Sequence, residues 1–141
     1  MIKGARITLV GFGHMGQALA QGFVDNGLKA AHIHAIDPDK NAREKADKLG
    51  IDYSKSLDGL THPPSVVLLA VKPQLMADVL PELQKLAGDT TFFLSIAAGV
   101  KIATLQKYLG QEARIVRAMP NMPAAIGYGM TVLCHSGHLA F

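Results

Sequence analysis

The 141-residue sequence holds a single cysteine, Cys134. That excludes an internal disulfide framework, and a lone thiol suits a reducing, cytoplasmic setting. No apolar run reaches the roughly 18 residues that a membrane-spanning helix needs. The opening Met1-Ile2-Lys3-Gly4-Ala5-Arg6 has neither a long apolar stretch nor a cleavage signal, which argues against secretion. Charged residues make up only 18%, and the basic ones are scattered. The net charge of +3 therefore reads as solvated surface and not as a nucleic-acid footprint. No repeat and no low-complexity segment interrupts the chain. His62 reads as a loop residue, and His135 and His138 fall near the end. No two histidines have the context of a metal site, and no metal is expected. Cys134 has no neighbouring base, so nucleophilic catalysis is unsupported.

What is present is a regular alternation. Apolar residues reach 49%, and the length suffices for one domain with a core. The run Arg6-Ile7-Thr8-Leu9-Val10 predicts a first strand. Met15, Ala18, Leu19, Gly22 and Phe23 then repeat with helical spacing up to the stop signal Asn26-Gly27. His32 to Ile36 predicts a second strand, and Asp37-Pro38-Asp39 opens a polar helix that ends at Leu49-Gly50. Ile51 to Tyr53 is a weak third strand. Ser65 to Val71 is continuously apolar, as in a parallel strand buried on both faces. Pro73 suits a helix start, and Met76, Val79, Leu80, Leu83 and Ala87 continue that helix. Thr91 to Ile96 is another buried strand, followed by a helix at about Ile102 to Leu109 and a strand from Arg114 to Ala118. Met119-Pro120-Asn121-Met122-Pro123 reads as an ordered loop, and Thr131-Val132-Leu133 could add a last short strand. Strands alternating with helices imply right-handed parallel units, so the fold class is α/β, a doubly wound, mainly parallel sheet of the Rossmann type in a single domain.

The chemistry starts at Gly11-Phe12-Gly13-His14-Met15-Gly16, which has an apolar strand before it and an amphipathic helix after it. Gly11 permits a tight turn, Gly13 lets backbone approach a pyrophosphate, and Gly16 lets the helix pack close. The helix N-terminus then offers free N–H groups and partial positive charge to phosphates. His14, inside this loop, is placed to face phosphate and not substrate. Asp37 follows Gly16 by roughly twenty positions, where a carboxylate can accept from the adenosine ribose hydroxyls and favour NAD. An alternative role for Asp37 is to cap the next helix. Lys40 and Arg43 could instead hold a 2′-phosphate, so the preference between NADH and NADPH stays open.

In an open α/β sheet, ligands sit beyond the carboxyl ends of the strands. Those ends carry Ala70-Val71-Lys72-Pro73, then Ile96-Ala97-Ala98, then Ala118-Met119-Pro120. Their small residues leave room for a flat ring and a ribose. Lys72 could meet a ribose hydroxyl or a phosphate. Ser56 follows the weak third strand and is a fainter candidate near the adenosine, with a helix N-cap as its other reading.

Four segments together resemble the Δ1-pyrroline-5-carboxylate reductase family over about residues 5 to 133. They are the glycine loop, Ala70-Val71-Lys72-Pro73-Gln74, Ser95-Ile96-Ala97-Ala98-Gly99-Val100, and Arg117-Ala118-Met119-Pro120-Asn121-Met122-Pro123-Ala124. The last is the most specific. It departs from the family at Met122, where threonine is usual. The resemblance implies that NADPH or NADH gives a hydride to the C=N carbon of a cyclic imine, yielding L-proline. The cofactor carries that chemistry, and the protein orients it. No general acid stands out. Met119, Pro120, Asn121 and Pro123 are the residues that the resemblance brings toward the substrate. It implies NADP slightly more than NAD.

The resemblance also implies a usual chain about twice this long, whose second half is a helical domain that makes the dimer and binds the substrate carboxylate. Residues 134–141 do not read as the start of such helices. The expectation is a nucleotide-binding domain over residues 1–133 and a short tail over 134–141. It leaves open a truncated product, an excised domain and a natural short protein. Apolar surface uncovered near the C-terminus favours weak self-association. The partners expected are a small imine substrate, with no nucleic acid and no membrane. Two other readings stand beside the reductase. One is a nucleotide-binding module without its own catalysis. The other is the nucleotide domain of a coenzyme F420-dependent NADP reductase or a β-hydroxyacid dehydrogenase.

Overall fold

The computed structural model describes residues 4–120 and 130–137. Seven strands form one sheet: β1 (Ile7–Val10), β2 (Ile33–Ile36), β3 (Asp52–Ser54), β4 (Val66–Leu69), β5 (Phe92–Ser95), β6 (Ile115–Pro120) and β7 (Thr131–His135). Their spatial order is β3-β2-β1-β4-β5-β6-β7. The first six strands are parallel, and β7 alone runs antiparallel, against β6. Among the described residues, the α-helices α1 (His14–Asp25), α2 (Lys40–Leu49), α3 (Met76–Leu83) and α4 (Ile102–Leu109) complete the layers. This is the doubly wound Rossmann-type α/β fold expected.

The apolar runs explain the layering. Successive side chains of a strand point to opposite faces, so a strand apolar at every position must be covered twice. Ile7 and Leu9 of β1, with Val66 and Leu68 of β4, pack with Ala20 of α1 and Ala42 and Ala46 of α2. Val10, Val67 and Leu69 pack on the other face with Leu80 and Leu83 of α3 and Leu105 and Leu109 of α4. Small residues on α1 and α2 let those helices lie close to the sheet. Leucines fill the wider gap beneath α3 and α4.

Several local expectations change. The helix expected at Pro73 opens as a 3-10 turn, Pro73–Leu75, and the α-helix begins at Met76. Pro81 lies inside α3 and cannot donate a backbone bond, and the helix gives way to a second 3-10 turn at Gln84–Leu86. Asp37 does not cap α2. Asp39 does, accepting from the Asn41 N–H at 3.0 Å. Met119 and Pro120 belong to β6 and not to a loop. Their antiparallel partners Val132 and Thr131 supply the reason, because that pairing is long-range and invisible in local sequence. β7 runs on through Cys134 and His135, so strand pairing crosses the expected 133/134 boundary. Ser136 then ties the chain down, its Oγ donating to the Ala113 carbonyl at 3.1 Å. Asn121 and Pro123, with Met122, lie outside the described residues.

Candidate active site

The carboxyl ends of β1, β2 and β4 meet above the middle of the sheet. The strand–turn–helix unit at β1 fixes the geometry there. Gly11 has φ +93°, and a Cβ on it would lie 2.8 Å from the Ala70 backbone. A Cβ on Gly16 would lie 2.4 Å from the Gly11 carbonyl oxygen. Both positions thus require glycine: one for its backbone angle and the approach of β4, the other for the approach of α1 to the turn. At Gly13 a Cβ would meet nothing within 4 Å. Gly13 is the N-cap of α1, without a side-chain cap, and no acidic residue occupies the first turn. The N–H groups there stay available, with the positive end of the helix dipole behind them.

Phe12 anchors the turn. Its ring is buried in the core, 1% exposed, beneath α1 and α2. Its N–H donates to Asp37 Oδ2 at 2.6 Å, and its carbonyl accepts from Gln17 Nε2 at 2.7 Å. The other carboxylate oxygen of Asp37 accepts from the Asp39 N–H at 2.8 Å. Asp37 therefore bridges the glycine turn and the loop after β2. Tyr53 of β3 holds the same loop, its single hydroxyl proton directed at the Asp37 carbonyl at 2.8 Å and shared with the Asp39 carbonyl at 3.2 Å. Burial, then the neighbouring Asp37 carboxylate, pushes the Tyr53 phenol above its ordinary pKa.

Beside this turn lies a cleft of about 520 Å³. That size is ordinary for a small-molecule or cofactor site. Of the residues singled out from sequence, Gly11, Gly13, Asp37, Ser56, Ala70, Val71 and Lys72 line it. The structure does not bring the others to its walls. Phe12 points into the core, and Gly16 faces the turn. His14 and Met15 are exposed on the first turn of α1, and Pro73 is exposed after β4. Ile96 is half-buried at the end of β5, Ala98 is exposed beyond it, and Met119 is half-buried on β6. Ser56 stands at the N-cap position of the 3-10 turn Leu57–Gly59 but makes no side-chain cap bond. Lys40 and Arg43 are exposed on α2, away from the cleft walls.

Sequence reasoning missed four polar or apolar wall residues that matter. Lys55, next to Ser56, brings a second cation to the cleft besides Lys72. The strand-end rule that found Ser56 reaches Lys55 as well. Asp78, Val79 and Glu82 form one face of α3 that looks into the cleft, and helical spacing was their signal. Among the described residues no group of three His, Cys, Asp or Glu side chains could hold a metal ion. Among the same residues no helix is long and apolar enough to cross a membrane.

Residues 6–99 match the model of the family described as NADP oxidoreductase, coenzyme F420-dependent. The chain belongs to this family. Its NAD(P)-binding Rossmann fold is therefore placed both by strand order and by sequence. Members of the pyrroline-5-carboxylate reductase group resemble it further along. The reductase of Aquifex aeolicus (strain VF5) is 38% identical over 135 residues, which are 96% of this chain and 49% of that protein. The structure of the Coxiella burnetii pyrroline-5-carboxylate reductase superposes with a TM-score of 0.89 at 30% identity, over 96% of this chain and 51% of that one. The Plasmodium falciparum pyrroline carboxylate reductase, solved with NADP bound, gives a TM-score of 0.82 at 27% identity, over 98% of this chain and 50% of that one. The family match stops at residue 99, whereas these reductases match nearly the whole chain. The chain spans about half the length of the curated relatives it matches.

Proposed function

We propose that this chain is the nucleotide-binding part of a pyrroline-5-carboxylate reductase, and that it holds NAD(P)H for hydride transfer to the C=N carbon of a cyclic imine. The observation that carries the reading is the 38% identity to such a reductase across 96% of the chain, continuing past the segment common to the wider family. In this reading the pyrophosphate rests on the N–H groups from Gly13 to Gly16, at the start of α1. The adenosine lies in the cleft between Asp37, Ser56 and the Ala70–Lys72 strand end. The nicotinamide reaches across the turn toward Ile96, Ala98 and Met119. The cofactor supplies the hydride; the chain supplies orientation and charge.

Asp37 supports a preference for NADH over NADPH, against the leaning of the resemblance. Its carboxylate is held toward the cleft by two backbone amides, and a fixed negative charge there repels a 2′-phosphate. Lys55 opposes that effect in part.

The reading gives this chain few groups for the substrate carboxylate. Productive transfer needs donor and acceptor about 3–3.5 Å apart and aligned. The 141-residue protein is therefore expected to bind the reduced cofactors and to turn over pyrroline-5-carboxylate slowly or not at all. Fluorescence titration with NADH and NADPH and steady-state rates with the imine test both halves. A folded protein that binds neither nucleotide at millimolar concentration removes the reading. Rates equal to those of a full-length relative would sink the expectation of weak activity.

A further inference from the structure

β2 carries a buried histidine that the proposed chemistry leaves unused. His34 is 9% exposed and pairs in register with Thr8 of β1 and Asp52 of β3. Its Nε2 lies 2.7 Å from Ser54 Oγ. Ser54 Oγ lies 2.8 Å from the carbonyl oxygen of Ser56. Elementary hydrogen-bond accounting fixes the direction of both contacts. A carbonyl oxygen only accepts, so the one hydroxyl proton of Ser54 goes to Ser56. Ser54 must then receive from His34, whose Nε2 carries the hydrogen. Burial pushes the His34 imidazole toward its neutral form, against the pull of Asp52. Charged or neutral, the imidazole keeps this donor.

The far end of the relay is a wall of the cleft. Lys55, Ser56 and Leu57 line it. The Ser56 carbonyl that Ser54 holds also accepts the Gly59 N–H at 3.3 Å, which closes the 3-10 turn. That turn folds directly over Ser54: a Cβ on Gly59 would lie 2.4 Å from Ser54 Cβ. The carbonyl of Ser54 also accepts the Asp37 N–H at 3.2 Å. One residue of the edge strand β3 thus touches both loops on this side of the cleft, and a buried donor beneath it sets its rotamer.

We propose that His34 and Ser54 are positioning residues for the adenosine side of the cleft. The imidazole orients Ser54, Ser54 holds the Ser56 carbonyl, and the held carbonyl sets where Lys55 and Ser56 meet a bound ribose. This rests on the reading of the cleft as an adenosine subsite. A histidine that merely filled space would be replaceable by an apolar side chain of similar size. A donor in a relay is replaceable only by another donor of similar reach.

The experiment is calorimetric titration of the purified chain with ADP-ribose, which carries the adenosine half and lacks the nicotinamide. Ser54→Ala and His34→Leu are expected to weaken binding about tenfold, the scale of one hydrogen-bond contact to an ordered wall. His34→Gln, which places an amide donor near the position of Nε2, is expected to keep affinity near wild type. Amide hydrogen exchange at Gly59 gives a second readout: faster in Ser54→Ala and His34→Leu, unchanged in His34→Gln. If Leu and Gln at position 34 behave alike, the imidazole is packing and the proposal falls. Wild-type affinity in a folded Ser54→Ala overturns it too, and that variant decides the matter even if His34→Leu does not fold. A folded wild type that fails to bind ADP-ribose removes the adenosine reading of the cleft and the relay's role with it. Wild-type binding with unaffected variants removes the relay alone.

Discussion

The two ends of the sheet differ in how their loops are held. Around β1, β2 and β3, each loop beyond a strand end is bonded to another. Phe12 N–H bonds to Asp37, Tyr53 to the loop after β2, and the Asp37 N–H to the Ser54 carbonyl. At the β6–β7 end the side chains of β7 are exposed on both faces, with Val132 at 68% and Leu133 at 64%. Among the described residues, β7 is the last strand in the sheet order, and its side chains stay exposed. The difference teaches where this chain is self-sufficient. The side that meets the glycine turn is built entirely from its own contacts. Among the described residues, the other side presents exposed apolar side chains on its outermost strand.

The sharpest test of that contrast lies within the turn itself. Gly13→Leu is expected to lower dinucleotide affinity at least a hundredfold, because the new side chain fills the space near the helix N-terminus where a pyrophosphate would sit. Its melting temperature should stay near wild type, since nothing lies within 4 Å of the added Cβ. Gly16→Val is expected to do the reverse first, costing about 1–3 kcal/mol of stability through overpacking against the Gly11 carbonyl. Parallel thermal melts and titrations separate the two. Equal stability losses in both variants would show that the turn has no open side.

Next in size is Asp37→Ser. The ratio of the NADPH and NADH dissociation constants is expected to move about tenfold toward NADPH, the scale of one lost unfavourable charge contact near a surface. The loop should also loosen, because Phe12 N–H loses its carboxylate partner. An unchanged ratio would leave Asp37 as a tether with no part in cofactor choice.

Gly11, Gly13, Asp37 and Ala70–Lys72 were legible because each follows an apolar strand, and strand ends converge; Ser56 follows the weak, polar β3 and was correspondingly the faintest. Ile96 and Ala98 obey the same rule but follow β5, which β4 separates from β1 in the sheet, so they stand outside the cleft walls. The partners of Asp37 were hidden, since a carboxylate accepting from Phe12 N–H joins two loops far apart in sequence. Asp78 and Glu82 were hidden for another reason. They lie on a helix read only for its buried face, while its other side forms a wall. The extent of β7 depended on a partner strand across a loop, which no local pattern encodes.

Smaller effects sharpen the comparison from both ends. If the exposed Val132 and Leu133 drive self-association, Val132→Lys with Leu133→Lys is expected to remove any concentration-dependent growth of the sedimentation coefficient and to leave nucleotide affinity unchanged. Persistent association would move the contact away from β7. At the other end, burial holds the His34 pKa below its ordinary value, with Asp52 opposing. The unfolded chain therefore binds that proton more readily than the folded one. His34's share of stability is complete above about pH 6.5 and is lost as pH falls through the lowered folded value. Urea unfolding of wild type and His34→Gln across this range should show a shallower acid slope in the variant. Identical slopes would mean that His34 titrates alike in both states.

β1 lies between β2 and β4, and those two neighbours reach it at very different times during synthesis. Ile7 pairs with Ile33 on one side and with Val66 on the other. A nascent chain can close the first ladder soon after β2 leaves the ribosome, as a local unit of strand, helix and strand. The second edge of β1 stays open until β4 arrives, across a much longer loop whose closure entropy must be met first. During that interval a strand destined to be buried at every position presents unpaired backbone on one side, the arrangement most exposed to pairing with the wrong chain. The order of strands that assembles the cleft thus also predicts which pairing closes last and is most open to error.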